Sequence, residues 1–345
     1  MSEVASTAPE RALHLDGLRF FAFFSVFLHH ALKIPMLWAG VDVFFVISGY
    51  LITGILLKSR EKPNYFSTFY KRRFLRIFPP YYLFITIVFL FFEKSNFETI
   101  FYYFTYLSNF NDAFHYSGTV NSLTPMWSLA IEEQFYLIWP LFIWALGRKG
   151  IVWMSITLLL LAPALRFAVA IYADNHWPAY FLLPCRADLL AAGSLLAVVQ
   201  MTVTDTQFLK ISAQAAAVAV GSAILFVATA LFNDDFRTGT NSVLFNTLGY
   251  SLVMLIATGL VAYLVPRNNS IFSRILKFRV FVYLGSISYV LYLVHKLVLI
   301  QVSSLGLSTW LYVLASFTIT MLIAMCSWRF LEAPLQRYKS KIAAY

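Results

Sequence analysis

Long apolar stretches are the feature that most constrains what this chain can fold into. A helix needs about 20 predominantly apolar residues to cross a bilayer. Backbone groups inside lipid must find their hydrogen bonds within the segment, so such stretches are expected to be helical. Ten of them follow one another along the sequence, at residues 17–34, 38–57, 77–92, 127–146, 151–171, 181–200, 211–232, 242–265, 281–303 and 309–328.

Composition points to the same class of protein. Only 12% of the 345 residues are charged and 60% are hydrophobic, whereas soluble domains carry about 25% charged residues. So few charges cannot cover a water-facing surface. The sequence therefore predicts an all-α fold, a polytopic transmembrane helical bundle with about ten membrane spans.

The placement of charge indicates topology rather than nucleic-acid binding. The net charge is +10, and most Lys and Arg fall in alternate loops and in the C-terminal tail. Cytoplasmic loops of membrane proteins carry this excess of cations. Both termini are therefore predicted to be cytoplasmic. The polar, acid-containing N-terminus has no basic region or cleavage site typical of a signal peptide.

The chain is interpreted as one membrane domain, residues 15–337, between cytoplasmic tails at 1–14 and 338–345. The short apolar segment 99–110 is expected to be an interfacial or re-entrant piece on the outer side. Two cysteines, both in apolar segments, form neither a disulfide framework nor a CxxC-type motif. No metal site is expected.

The first apolar stretch, LDGLRFFAFFSVFLHH, carries ionisable groups at both ends. Arg19 and His30 are eleven residues apart, which places them on one face of a helix, about 16 Å apart along its axis. Asp16 lies one turn before Arg19 and can pair with it. Ionisable groups inside a membrane are costly and usually functional. The alternative is interfacial anchoring by Asp16 and Arg19, with a packed core histidine.

Clustered arginines precede the third stretch, in FYKRRFLRIFPPYYL. Arg73 and Arg76 are spaced to face the same way once helical, and Arg72 adjoins them. Arginines presented together suit a phosphate-bearing ligand. Ordinary cytoplasmic anchoring and binding of anionic lipid headgroups are the alternatives.

Two adjacent carboxylates, Glu132 and Glu133, open the next span in TPMWSLAIEEQFYLIWP, between Trp127 and Trp139. Consecutive helical residues point about 100° apart, so at most one of the acids squarely faces a site. Acids are also favoured at a helix N-terminus by its dipole. The two tryptophans fit an interfacial aromatic belt.

A polar face is predicted on the helix LGSISYVLYLVHK. Gly285, Ser288, Tyr292 and His295 fall within about 80° of one another if the segment is one helix. Close helix packing through small residues is the alternative role. Four further charged residues are expected to be buried or half-buried, with structural or substrate-binding roles. They are Asp42, Arg186, Asp188 and Glu332. Arg186 and Asp188 are expected to form ion pairs with each other or with neighbouring residues.

Six blocks together resemble, in the same order, the signature blocks of the acyltransferase family 3 membrane proteins. They are LDGLRFFAFFSVFLHH, GVDVFFVISGYLITG, FYKRRFLRIFPPYYL, MWSLAIEEQFYLIWP, SYVLYLVH and WRFLEAP. The resemblance runs from residue 15 to about 337. It implies ten core helices, acyl-CoA as a cytoplasmic donor and a sugar hydroxyl as acceptor, as in bacterial O-antigen and exopolysaccharide O-acetyltransferases.

The family's arginine-to-histidine motif maps onto Arg19 and His30, and its paired arginines map onto Arg73 and Arg76. Phe20 departs from the small residue that the family usually has, and either narrows a pore beside Arg19 or packs outward. His29 stands where the family usually has an aromatic or aliphatic residue, and its side chain is expected to point in a different direction from that of His30. No esterase-like domain follows the last helix, so a stand-alone form is expected.

These residues combine into a mechanistic hypothesis. Arg73, Arg76 and Arg72 hold the phosphates of acyl-CoA, and the pantetheine arm enters along the face that bears Arg19. His30 acts as catalytic base on an acceptor hydroxyl, with Glu133, or else Glu132, orienting the imidazole. A covalent acyl-histidine relay is the alternative chemistry.

Two other function classes compete with this one. Ten helices with buried charges also fit a transporter or flippase of an anionic or glycolipid substrate, and the basic segment at residues 71–76 fits a lipid-headgroup sensor. The expected location is the bacterial inner membrane. Acetyl is the expected acyl group, with succinyl or longer acyl groups open. The acceptors left open are lipopolysaccharide O-antigen, exopolysaccharide, a lipid-linked sugar, a peptidoglycan sugar, and a small glycoside or antibiotic.

Overall fold

A computed structural model describes residues 12–94, 97–115, 120–239 and 241–340, with side chains to residue 337. Within these ranges the chain forms sixteen α-helices and no strand, so the predicted all-α class is confirmed. The helices are α1 (Leu13–Leu32), α2 (Gly40–Ser59), α3 (Tyr65–Phe91), α4 (Phe97–Phe104), α5 (Ser108–Phe114), α6 (Met126–Tyr172), α7 (Pro178–Phe181), α8 (Leu183–Gln200), α9 (Asp205–Phe232), α10 (Asp234–Thr238), α11 (Tyr250–Leu264), α12 (Ile271–Leu276), α13 (Arg279–Ser286), α14 (Ser288–Ser303), α15 (Thr309–Ser327) and α16 (Ala333–Ser340).

Seven helical stretches of the described chain are long and apolar enough to cross a membrane, and an eighth results if α13 and α14 form one bent span. The molecule is therefore a multi-pass helical bundle, as predicted. The number ten and the side of the termini stay predictions. The seven stretches are Leu37–Ser59, Tyr65–Phe91, Met126–Tyr172, Pro178–Gln200, Asp205–Phe232, Phe245–Leu264 and Thr309–Arg337.

Helix α6 is two arms joined at Gly147, whose backbone is not helical (φ 60°, ψ −169°). A straight helix of 47 residues would be about 70 Å long. The ring of Trp127, at the start of α6, nevertheless lies 5.4 Å from that of Phe181, nine residues beyond its end. The arms must therefore fold back on each other, which accounts for the two separate spans that the sequence predicts over 127–171.

Helices α2 and α8 cross in close contact at the centre of the bundle. A Cβ added to Gly49 would overlap the backbone carbonyl of Leu190, and one added to Gly193 would overlap that of Val46. Small residues allow this approach, which lets helices pack tightly where lipid offers no hydrophobic driving force. The contact fixes the position of α2, which carries part of the candidate site.

The predicted polar face of the ninth apolar stretch is wrong for Gly285. The chain bends by 73° between α13 and α14, so Gly285 lies on a different helix from Ser288, Tyr292 and His295. Gly285 packs instead against the backbone of Asp16, where an added Cβ would overlap the Asp16 carbonyl. This contact anchors the first turns of α1.

The short helices α4 and α5 occupy the segment between α3 and α6. The Tyr81 hydroxyl donates to the Tyr103 carbonyl over 2.8 Å, and Tyr82 donates to the Phe104 carbonyl over 3.1 Å. Neither short helix has the length needed to cross a bilayer. Helix α4 packs against α3, whereas α5 packs against α6 and α7.

Candidate functional site

The C-terminal end of α1 opens into a cavity of about 700 Å³, called here the outer cavity. Its walls come from α1, the loop before α6, the start of α6, residues 174–177 and 180–181, residues 238, 239 and 241, α11 and α14. Aromatic rings dominate the lining: Trp38, Trp127, Trp177, Tyr180, Phe181, Tyr250 and Tyr292. Flat apolar faces with polar edges suit a ligand that has both, such as a sugar ring.

Trp127 and Trp139 do not form the interfacial belt that the sequence suggested. Trp127 is 5% exposed and lines the outer cavity. Trp139 is buried and donates from Nε1 to the Thr53 hydroxyl over 2.8 Å. Both rings face protein because α6 lies against α2 and α8 on this side.

His30 lies on the wall of the outer cavity, and the titratable groups that act on its ring within the described residues are basic: His29, His295 and Lys296. Lys296 Nζ is 3.4 Å from His30 Nδ1, and the centre of the His295 ring is 5.3 Å away. His29, expected to point elsewhere, lines the same cavity. Its Nδ1 is 2.8 Å from the Ile34 carbonyl, which holds the ring beside His30.

His295 is buried and its hydrogen bonding fixes its tautomer. Nδ1 lies 2.6 Å from the Tyr292 carbonyl, an acceptor only, so the ring proton is on Nδ1. Nε2 is then an acceptor, and it has no hydrogen-bond partner within the described parts of the chain. The Phe23 ring contacts the imidazole edge to face and limits its rotation.

A separate, smaller cavity of about 30 Å³ lies beside Arg19. The two cavities share Val41 and Tyr292 as lining residues. Arg19, Glu132 and Ser288 line the far side of the smaller one. Tyr292 therefore lies between the cavity that holds His30 and the one that holds Arg19, at a place called here the junction, and a common route for the two residues stays a prediction.

A network of charges surrounds Arg19 below this junction. Arg76 interacts electrostatically with Arg19 and Arg73, and Glu132 interacts with all three arginines. Ser48 donates to Glu132 Oε1 over 2.5 Å. Other carboxylates also act on these arginines, Glu133 on Arg73 and both Asp16 and Glu332 on Arg76. Clustered guanidinium groups of this kind suit a phosphate group.

Arg73 also faces a second, larger cavity between α3 and α6, of about 1100 Å³. Its guanidinium lies 4.6 Å from the centre of the Tyr136 ring, within cation–π range. Glu133 lines this cavity rather than the outer one. The structure thus separates the adjacent carboxylates, with Glu132 beside Arg19 and Glu133 beside Arg73, and it does not place Glu133 next to His30.

The other predicted site residues have supporting positions. Glu332 is 4% exposed, accepts from Ser327 over 3.2 Å and interacts electrostatically with Arg76. Phe20 does not line the small cavity. It stacks on Phe281 with ring centres 5.7 Å apart, so it packs away from Arg19.

Two buried ion pairs support the aromatic wall of the outer cavity. Arg186 pairs with Asp42, not with Asp188 as one alternative had it. Its guanidinium lies 4.8 Å from the centre of the Tyr250 ring. Asp188 pairs over 2.8 Å with Arg166, a residue that the sequence reading missed.

Sequence reasoning also missed Lys296 and His176. Lys296 directly follows His295 in the SYVLYLVHK block, so the intramembrane-charge argument already applied to it. His176 lines the outer cavity, with Nδ1 3.0 Å from the Asn241 carbonyl. It lies in a loop with no periodic pattern, and no sequence signal pointed to it.

Comparison with known proteins adds an independent finding. The family model described as the acyltransferase domain matches residues 13–329. YrhL of Bacillus subtilis (strain 168), named as a candidate peptidoglycan O-acetyltransferase, is 30% identical over 93% of this chain and 54% of its own length. The peptidoglycan O-acetyltransferase OatA of Listeria monocytogenes serovar 1/2a is 30% identical over 94% of this chain and 55% of its own.

A third relative, the O-acetyltransferase OatA of Staphylococcus aureus (strain NCTC 8325 / PS 47), is 28% identical over 96% of this chain and 58% of its own length. The chain thus spans little more than half the length of the curated relatives that it matches. No solved structure matches it.

Proposed function

The chain belongs to the acyltransferase domain family, and from this premise we propose that it is a membrane O-acetyltransferase. It moves an acetyl group from cytoplasmic acetyl-CoA to a hydroxyl of a carbohydrate. The observation that carries this proposal is the shared lining of the two cavities, which links His30 to Arg19 through Tyr292. A bacterial inner membrane is the location that fits a cytoplasmic donor and an extracytoplasmic glycan.

The arginine network is the proposed donor site. Arg73, Arg76 and Arg72 bind the phosphates of CoA, for which guanidinium groups are suited because they offer paired donors in one plane. The uncharged pantetheine arm then passes Arg19 toward the junction. Glu132 and Glu332 neutralise part of the positive charge when the donor is absent.

His30 is the proposed general base. It removes the proton from the acceptor hydroxyl as that oxygen attacks the carbonyl carbon of the thioester. The new C–O bond forms, the C–S bond breaks, and the proton leaves the imidazolium with the CoA thiolate. Hydroxyl groups of Tyr292 and Ser128 lie at the junction and donate to the carbonyl oxygen as it gains negative charge. An acyl-histidine relay through the same nitrogen gives the same products.

The aromatic outer cavity is the proposed acceptor site. Two of the relatives are named for action on peptidoglycan, so a peptidoglycan-type sugar is the first acceptor to examine. The rings of Trp38, Trp127 and Trp177 offer stacking faces, and Asn175 and Asn241 offer polar edges.

The proposal is tested with purified protein in nanodiscs, acetyl-CoA and defined oligosaccharides. Mass spectrometry of the sugar measures the gain of one acetyl group. Peptidoglycan-derived muropeptides and lipopolysaccharide-derived oligosaccharides form separate arms, each with wild type and with His30→Ala. Acetylation of a sugar by wild type alone supports the proposal. Absence of both sugar acetylation and acetyl-CoA consumption would favour the transporter instead.

A further inference from the structure

The side-chain nitrogen of Lys296 lies beside the His30 ring. Its Nζ is 3.4 Å from His30 Nδ1, so under the proposed function Nε2 is the ring nitrogen that takes the proton of the acceptor hydroxyl. The inference below rests on the proposed role of His30 as base. It concerns which ring nitrogen carries the proton.

The protonation state of Lys296 determines the tautomer of His30. An ammonium has three donors and no lone pair. An ammonium that faces His30 Nδ1 can only donate to it, so Nδ1 must carry a lone pair. The ring proton of neutral His30 is then on Nε2, and Nε2 cannot act as the base. A neutral amine can accept from Nδ1–H, and Nε2 is then free to take a proton.

The surroundings of Lys296 favour the neutral amine. Its side chain is half-buried, and no ion pair with it occurs among the residues that the structure describes. The titratable groups that act on it among the described residues are basic: His30 of α1, Lys33 at the C-terminal end of α1, and His295 on its own helix. Like charges close together disfavour the charged form of each.

We propose that Lys296 is a positioning residue for the acyl-transfer step. As a neutral amine it accepts the hydrogen bond from His30 Nδ1–H, leaves Nε2 as the base, and stabilises the imidazolium once Nε2 has taken the acceptor proton. When Lys296 is protonated, His30 adopts the opposite tautomer and transfer stops. The part played by the lysine resembles that of the carboxylate in a Ser-His-Asp triad, with a neutral acceptor in place of a charged one.

Three substitutions separate this role from simple packing. Lys296→Arg keeps a permanent cation, Lys296→Gln supplies a neutral acceptor, and Lys296→Met keeps the length without any acceptor. Acetyl-CoA turnover is measured across pH in nanodiscs, with kcat and KM for the donor determined separately. The wild-type rate should rise with pH as the ammonium loses its proton.

We expect Lys296→Arg to lower kcat at every pH by about 10²-fold, the usual contribution of a general base. Lys296→Gln should keep activity and lose much of the pH dependence, and Lys296→Met should lose kcat, all with KM for the donor unchanged. A Lys296→Arg variant with wild-type kcat, or a Lys296→Gln variant with the wild-type pH profile, would overturn the assignment.

A second measurement works without turnover. Nitrogen-15 spectra of histidine-labelled protein report the tautomer of each ring, and His30→Gln identifies the His30 signals. A proton on Nδ1 in wild type, lost in Lys296→Arg, supports the inference. Wild-type spectra with the proton on Nε2 at all pH values reject it. If the spectra show this tautomer change but neither the wild type nor any variant turns over acetyl-CoA, the proposed function has failed. The hydrogen bond between Lys296 and His30 is then still supported.

Discussion

The hydroxyl of Tyr292 lies 2.7 Å from the hydroxyl of Ser128, at the place where the outer cavity meets the smaller cavity beside Arg19. Tyr292 also lies 3.3 Å from the Pro125 carbonyl. The two hydroxyls join α14 to the first turn of α6. They are the polar groups best placed to act on a carbonyl that reaches the junction.

Removing the Tyr292 hydroxyl should therefore slow acetyl transfer. Tyr292→Phe is expected to lower kcat by about 10²-fold, the usual effect of losing one donor to a developing oxyanion, with binding of acetyl-CoA unchanged. Tyr289→Phe is the matched control, because Tyr289 lines the same small cavity but not the outer cavity that holds His30. Equal effects of the two substitutions on kcat would refute the role of Tyr292.

The close crossing of α2 and α8 predicts a steric effect on stability. Gly49→Ala and Gly193→Ala would each place a methyl group against a backbone carbonyl, and we expect both to lower the melting temperature in detergent. Gly54 lies on α2, as Gly49 does, and a Cβ added there has no neighbouring atom within 4 Å. Gly54→Ala should leave stability unchanged or raise it by about 0.5–1 kcal/mol, through helix propensity alone. If Gly54→Ala lowers the melting temperature as much as Gly49→Ala, packing is not the cause.

Because Arg186 and Asp42 form a buried ion pair, substitutions at the two residues should have non-additive effects on the free energy of unfolding. Each single change, Asp42→Asn or Arg186→Met, should cost about 3–5 kcal/mol because it leaves one buried charge unpaired. The double variant should lose less than the sum. Equilibrium unfolding of the four proteins in mild detergent measures the coupling.

A surface pair provides the control for that cycle. Arg237 and Asp234 also pair, but their side chains are 65% and 78% exposed. Removing either should have no measurable effect on unfolding. Additive effects at Arg186 and Asp42 would show that the buried contact is not what stabilises α2 against α8.

Asp112 of α5 predicts a pH dependence of stability. Burial raises the pKa of its carboxyl to about 8, and neither oxygen has a hydrogen-bond partner within the described residues. A carboxyl whose folded-state pKa lies above its unfolded value of about 4 stabilises the fold at low pH and loses that contribution as pH rises toward 8.

The melting temperature of the wild type should therefore fall between pH 5 and pH 9 more steeply than that of Asp112→Asn. Glu98→Gln is the control, since Glu98 is exposed on the adjacent α4 and should follow the wild type. Parallel curves for wild type and Asp112→Asn would show that Asp112 does not titrate with folding.

The sequence predicted the class of fold because that depends on patterns along single chain segments. Apolar stretches of membrane length gave the helices, and the spacing of Arg19 and His30 on one helix gave their common face. Pairings between distant segments were not accessible in this way. Arg186 has Asp188 two residues away, yet it pairs with Asp42 on another helix. Glu132 and Glu133 point to different sides of α6, so Glu132 lines the small cavity and Glu133 lines the cavity between α3 and α6. The bend at Gly147 falls between the predicted stretches 127–146 and 151–171, whereas the bend before Ser288 lies inside the predicted stretch 281–303 and left no periodic signal.

The central claim is that the arginine network binds acetyl-CoA and that His30 catalyses transfer of its acetyl group. The measurement that tests it is acetyl-CoA binding by calorimetry together with acetyl-CoA turnover, in nanodiscs, for wild type, His30→Ala and the double variant Arg73→Ala/Arg76→Ala. We predict that His30→Ala binds the donor as wild type does while its turnover falls by at least about 10²-fold, and that the double arginine variant loses binding. Full turnover by a folded His30→Ala protein would contradict the account.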